Sequence, residues 1–237
     1  MKSATLLLCP IWLILLSASC SPVNQKKGEN PYNLDLVQTK EVYSALVAQN
    51  PNNRMVDLEK AIPGITLDIR YATVNNFTGK VIYTEPKAFA RKPVADALKK
   101  VQDSLATHHL ALKIYDAYRP YAASLTFYKV YPDTSFVADP KKGSRHNRGC
   151  AIDLTLIELQ SGKEIPMPST FDDFTARAHP DYPNLPDTVL ANRKFLFGIM
   201  EHFGFKHILS EWWHFDYNGW SGYKLMDLPF EDLKRDI

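Results

Sequence analysis

Two histidines and two carboxylates fall at spacings that suit hydrolytic chemistry. His146 and Asp153 bracket a polar approach, S-R-H-N-R-G-C-A-I-D-L-T-L, whose apolar members Ala151, Ile152, Leu154 and Leu156 read as a buried strand. Glu211 and His214 stand together downstream in E-W-W-H. Two imidazoles and one carboxylate, with a second carboxylate to spare, are the parts of a catalytic zinc site: three ligands, an open position and a base that is not a ligand. Gly149 lets the backbone turn, so that His146 and Asp153 face one point. Residues three apart on a flat strand point to opposite faces, so Glu211 belongs in the turn before the strand of His214, or at a bulge.

The other histidines fit this role less well. His108 and His109 end a predicted helix, His202 and His207 flank the end of another, and His179 in A-H-P-D-Y is the rival ligand because it lies in a long irregular loop.

The scaffold follows from periodicity and punctuation. Leu36 to Ala48 reads as a short helix, and I-T-L-D-I-R-Y from Ile65 to Tyr71 as a strand. Val81 to Tyr83 reads as a short extended piece. Pro93 opens a helix carrying Val94, Ala97, Leu98, Val101 and Leu105 on one face. Leu110 to Tyr118 is a strand that delivers Arg119, Tyr121 to Val130 a helix, and Tyr131 to Gly143 a loop. Asp187 to Phe203 is an amphipathic helix stopped by Gly204, and Ile208 to Tyr217 is the last strand. Strands and helices do not alternate regularly, which predicts a single α+β domain with a central, mainly antiparallel sheet flanked by helices.

A length of 237 residues suits one sizeable domain, and a formal charge of +2, scattered along the chain, gives no surface for nucleic acid. Residues 1–20 read as a signal peptide: Lys2, an apolar run from Leu6 to Leu16, then small residues up to Cys20. Leu16-Ser17-Ala18-Ser19-Cys20 resembles a bacterial lipobox with its Leu one place upstream of the usual position. It predicts a lipid anchor on Cys20 as the chain's one link to a membrane, and an exported, periplasmic lipoprotein of the bacterial cell envelope. Residues 21–35 are then a flexible tether and residues 36–237 the catalytic domain. With Cys9 removed and Cys20 lipidated, only Cys150 remains, which excludes an internal disulfide.

S-x-H-x-x-G-x-A-x-D followed by E-x-W-H resembles the zinc D,D-peptidases. Three further stretches resemble the D-alanyl-D-alanine dipeptidase family within that group: D-I-R-Y-A-T with N-F-T-G (Asp68 to Gly79), D-A-Y-R-P (Asp116 to Pro120) and Phe171-Asp172. The likeness runs from about Met55 to Tyr217. It implies that His146, Asp153 and His214 bind one Zn²⁺, and that Glu211 takes a proton from the attacking water and passes it to the leaving amine. It also implies that Arg119 stabilises the oxyanion, Asp172 holds the free ammonium of a small D,D-dipeptide and Ser144 contacts substrate. The implied reaction is hydrolysis of D-Ala-D-Ala, in turnover or scavenging of wall peptides. Cys150 departs from the family pattern, which has a small residue such as Ser or Ala there; it is expected to be packed rather than a ligand. Two alternatives stay open: a D,D- or L,D-carboxypeptidase or endopeptidase acting on peptidoglycan stems, and a zinc-binding recognition module without catalysis.

Overall fold

A computed structural model describes residues 28–234. The signal peptide, Cys20 and residues 21–27 of the predicted tether lie outside these described residues. In chain order the elements are β1 (Leu36–Val37), α1 (Lys40–Gln49), β2 (Met55–Asp57), α2 (Leu58–Ala61), β3 (Thr66–Leu67), β4 (Phe89–Arg91), α3 (Lys92–Ala106), β5 (Leu110–Asp116), α4 (Tyr121–Val130), β6 (Ala151–Glu158), α5 (Asp187–His202), β7 (Phe205–His207), β8 (His214–Tyr217), β9 (Leu225–Met226) and α6 (Phe230–Leu233). The five-stranded sheet runs β3-β5-β6-β8-β7, parallel at β3–β5 and antiparallel elsewhere. This is the predicted α+β architecture.

Strand β6 is buried along nearly its whole length. Ile152, Leu154 and Leu156 share one face by the two-residue period of a strand and lie in the core. Helix α3 begins one residue before Pro93 and buries Val94, Ala97, Leu98, Val101 and Leu105, as its spacing predicts. Helix α5 buries Val189, Leu196 and Met200, and Gly204 follows it in the left-handed region (φ 89°).

Four local expectations change. The first predicted helix starts later, because Leu36 and Val37 pair in parallel with β9 and the Thr39 side chain caps α1 from Lys40. The stretch Ile65 to Tyr71 forms a strand only at Thr66 and Leu67, with the Asp68 N–H adding a last bond to the Ile114 carbonyl at 2.8 Å; Arg70 to Ala72 then coil into a 3-10 turn. Val81 to Tyr83 is no strand: the N–H groups of Ile82 and Tyr83 both donate to the single carbonyl of Tyr71, at 2.8 and 2.9 Å. Of the last predicted strand, Ile208 to Tyr217, only His214–Tyr217 forms one (β8); it makes a hairpin with β7, which precedes the predicted stretch, around a loop from Ile208 to Trp213. Apolar alternation marks residues that can form a ladder, and the partner decides how many do.

Two backbone features prepare the site. Between Ile114 and Asp116 the β5–β6 register slips by one residue, so Ile114 faces Leu154 while Asp116 faces Asp153. This bulge at Tyr115 turns Asp116 to the face opposite Ile114. The second feature is Gly149, which closes the 3-10 turn His146–Arg148 at φ 69°. Buried Arg91 clamps that turn: its N–H donates to the Gly149 carbonyl at 2.9 Å and its Nε to the Arg148 carbonyl at 2.8 Å. A Cβ at residue 149 would meet the Met55 Cε at 2.6 Å. Gly149→Ala is therefore expected to cost about 1–2 kcal/mol from the left-handed backbone. Chemical denaturation checks this; a loss below about 0.5 kcal/mol would mean the turn relaxes freely.

Candidate active site

Strands β5, β6 and β8 bring Asp116, Asp153 and His214 side by side, since Asp116 pairs with Asp153 and Asp153 with His214. Cross-strand partners share a face, so the three make one rank across the sheet. His146 reaches the same point from the 3-10 turn. That turn is stitched to the end of β5: the Arg119 N–H donates to the His146 carbonyl at 3.2 Å, and Asn147 Nδ2 donates to the Arg119 carbonyl at 2.8 Å.

The hydrogen bonds fix both imidazole tautomers. His146 Nδ1 lies 2.7 Å from the Ala117 carbonyl, which can only accept, so the proton sits on Nδ1 and the Nε2 lone pair faces inward. His214 Nε2 lies 2.9 Å from Asp216 Oδ1, which leaves Nδ1 facing inward. There it is 3.1 Å from His146 Nε2 and 3.0 Å from Asp153 Oδ1, and His146 Nε2 is 3.4 Å from the same oxygen.

Three buried electron-pair donors thus converge within 4.8 Å, and among the described residues they form a group able to hold a metal ion. Bonds of about 2.0–2.1 Å in a tetrahedron place ligand atoms about 3.3 Å apart, close to the separations found. The electrostatics agree. Burial opposes charge on His214, but the carboxylates of Asp153 and Asp216 outweigh it and push the imidazole up to about 10. Burial likewise opposes the Asp153 carboxylate, and His146 and His214 hold it well below the usual range. The pocket is built to receive positive charge.

Glu211 sits outside the donor set, in the loop before β8, where the spacing argument requires it. It is 7% exposed, and its Oε2 is 3.9 Å from His214 Nδ1. Burial pushes its carboxyl up to about 8, with His214 opposing and the charges of Asp153 and Asp172 adding. The Trp212 N–H donates to the Ala178 carbonyl at 2.9 Å and holds the loop, and Trp212 and Trp213 are both buried.

Arg119 places Nε and Nη2 on Asp116 Oδ2, at 2.9 and 2.7 Å, with its guanidinium 4.6 Å from the Phe127 ring centre and 5.4 Å from that of Tyr71. Asp172 takes a left-handed backbone (φ 60°) and accepts a 3.0 Å hydrogen bond from the Tyr71 hydroxyl on Oδ1. Its Oδ2 is buried without a partner among the described residues. Ser144 is buried and accepts from the His146 N–H at 3.2 Å.

All seven residues singled out from sequence line one cleft of about 420 Å³, of the size that takes small ligands. Asp173 is not among its lining residues, nor are His179, His202 and His207. His207 instead pairs with Glu201 at 3.1 Å. Cys150 is fully buried, and burial pushes its thiol up to about 12, so it packs and does not react.

The sequence reading missed Asp216, which orients His214, and gave Tyr71 no role. The first was legible: His214 and Asp216 lie two apart on a strand and so share a face. The second needed the fold, because Tyr71 and Asp172 are 101 residues apart.

An α+β scaffold that gathers two imidazole lone pairs and a carboxylate at one buried point, beside a further unligated carboxylate, defines a metallopeptidase. Residues 51–232 match a family model described as D-ala-D-ala dipeptidase, and the chain is 38% identical over 172 residues to a D-alanyl-D-alanine dipeptidase of Escherichia coli (strain K12), covering 73% of this chain and 89% of that protein. The chain belongs to the D-ala-D-ala dipeptidase family. A D-alanyl-D-alanine dipeptidase of Enterococcus faecalis (strain ATCC 700802 / V583) is 34% identical over 200 residues, covering 76% of this chain and 95% of that one. One from Streptomyces coelicolor is 30% identical over 178 residues, covering 67% and 88%.

Proposed function

We propose that this chain hydrolyses the free dipeptide D-Ala-D-Ala with one Zn²⁺ held by His146, Asp153 and His214. The observation that carries this reading is the position of Asp172, with a buried carboxylate oxygen that has no partner among the described residues, in the cleft that holds the donor set. Such a group favours a substrate with a free ammonium near the scissile bond, which separates a dipeptide from a longer stem peptide.

Zinc bound at the three donors supplies a Lewis acid and brings water within reach of deprotonation near neutral pH. Glu211 accepts the proton of the attacking water and returns it to the leaving amine. Arg119, held flat by Asp116, presents its remaining N–H donors to the carbonyl oxygen as negative charge develops there. Tyr71 fixes the Asp172 carboxylate toward the substrate ammonium, and the Ser144 hydroxyl contacts the bound peptide. A non-catalytic zinc module would have no use for Glu211, a buried carboxylate outside the donor set.

Amine release from D-Ala-D-Ala, L-Ala-L-Ala and N-acetyl-D-Ala-D-Ala tests the reading. Cleavage of the free D,D-dipeptide alone is expected; preference for the N-blocked peptide would make the protein a carboxypeptidase and remove Asp172 from substrate binding. The pH dependence of KM adds a second check. Burial, then the charge of Asp153, pushes Asp172 up to about 7. Its ionised form is the one that binds an ammonium, so KM is expected to fall as pH rises through the neutral range, until the substrate amine itself deprotonates near pH 8. Asp172→Asn is expected to raise KM and flatten that limb. An unchanged limb in the variant would assign it to another group.

We place the activity in the cell envelope, supported by the leader-like residues 1–20 and the lipobox-like Cys20. Recovery of the active protein in the soluble cytoplasmic fraction would overturn that location.

A further inference from the structure

Resting on the dipeptidase reading, we infer that Arg145 receives the C-terminal carboxylate of the substrate and so sets specificity for a free acid. A dipeptide is a zwitterion, and its carboxylate enters a cleft that already holds Asp153, Asp172 and Glu211. It needs a cation there. Four basic side chains line the cleft: Arg119, Lys142, Arg145 and Arg148. Arg119 is engaged twice by Asp116, and Arg148 donates to the Tyr223 carbonyl. The Lys142 side chain is 83% exposed, and its ammonium is held only loosely, 3.9 Å from Asp139.

Arg145 is both positioned and available. Its Nη1 lies 3.2 Å from Asp216 Oδ2, its guanidinium stands 4.8 Å from the Trp220 ring centre, and its side chain is 43% exposed. One ion pair and one aromatic face aim the planar fork and leave donors for a second carboxylate.

The strand order puts this cation on the correct side. Asp172 is held by Tyr71, the ring beneath Arg119 at the β5 end of the rank. Arg145 is tied to Asp216 on β8. Two members of the donor set, Asp153 and His214, stand on β6 and β8, and His146 joins them from the 3-10 turn. Two strand spacings are about 10 Å, the scale of an extended dipeptide of about 7 Å with a hydrogen bond at each end. Ammonium on Asp172 and carboxylate on Arg145 thus leave the amide over the metal site.

The test compares kcat/KM for D-Ala-D-Ala and for its C-terminal amide, in wild type, Arg145→Ala and Arg145→Lys, with bound zinc measured for each. The wild type is expected to prefer the free acid about 100-fold, the scale of a charge-assisted pair. In Arg145→Ala that ratio shrinks to within about 3-fold, chiefly through KM for the acid and with zinc retained; Arg145→Lys restores part of it. A ratio that stays at the wild-type value in Arg145→Ala, even if both rates fall, overturns the assignment and leaves Arg145 as a prop for Asp216 and His214. A wild type without preference also overturns it. A zinc-loaded wild type inert toward both compounds would fail the dipeptidase reading itself, and this assignment with it.

Discussion

Removing the metal by chelation, or replacing His146 with alanine, is expected to lower kcat/KM by at least about 10³-fold. His146, Asp153 and His214 are the three buried donors that converge on one point, and each imidazole has one further partner that fixes its direction. Taking away one imidazole leaves a two-donor site and also frees the Ala117 carbonyl. Zinc added back to the chelated wild type restores turnover, and zinc added to His146→Ala does not. Metal analysis of both proteins, alongside activity, is the check. Full activity in a wild type shown to be metal-free would refute the proposed chemistry.

Glu211→Gln is expected to lower kcat by about 10³-fold while the zinc content stays at the wild-type level. Glutamine keeps the size and much of the hydrogen bonding of the side chain but cannot take a proton from water. Glu211 is not one of the converging donors, so its loss leaves them intact. A drop in bound zinc would make it a ligand and undo the division of roles. Stability should move the other way. The folded protein raises the Glu211 pKa, so whatever stability the group contributes is present below its unfolded pKa and is lost as pH rises through its folded value of about 8. In the metal-free protein, where no cation offsets the buried charge, Glu211→Gln is expected to be at least as stable as wild type at pH 8. The site holds a group that the fold alone would not favour, as expected where function and stability pull apart.

The legible parts of this molecule are those where one local signal suffices. Helix α3 starts within a residue of the proline that marks it and buries the predicted apolar face, and α4 spans the predicted Tyr121–Val130. Glu211 had to leave the strand of His214, since three residues along a strand reverse the face, and it does. The rest depended on partners distant in sequence. Nothing near Thr66 says that β5 will pair with Thr66 and Leu67 and let the chain turn away before Arg70. Nothing near Val81 says that a single carbonyl, that of Tyr71, will take two of its neighbours' N–H groups. The site residues were legible as types and motifs; the order in which the sheet sets them side by side was not.

The bulge at Tyr115 makes the molecule unequally tolerant of changes in length. Before it, the side chains of β5 and β6 obey one parity, with Ile114 against Leu154 inside the core; after it, Asp116 meets Asp153 on the catalytic face. Adding one residue there, beyond the one the bulge absorbs, would send the carboxylate that seats Arg119 into hydrocarbon and put another side chain opposite Asp153. The loop from Tyr131 to Gly143 has no such bookkeeping, since it crosses no ladder. Natural and engineered variation in length should therefore collect in that loop, while the spacing from Leu110 to Arg119 stays fixed to the residue.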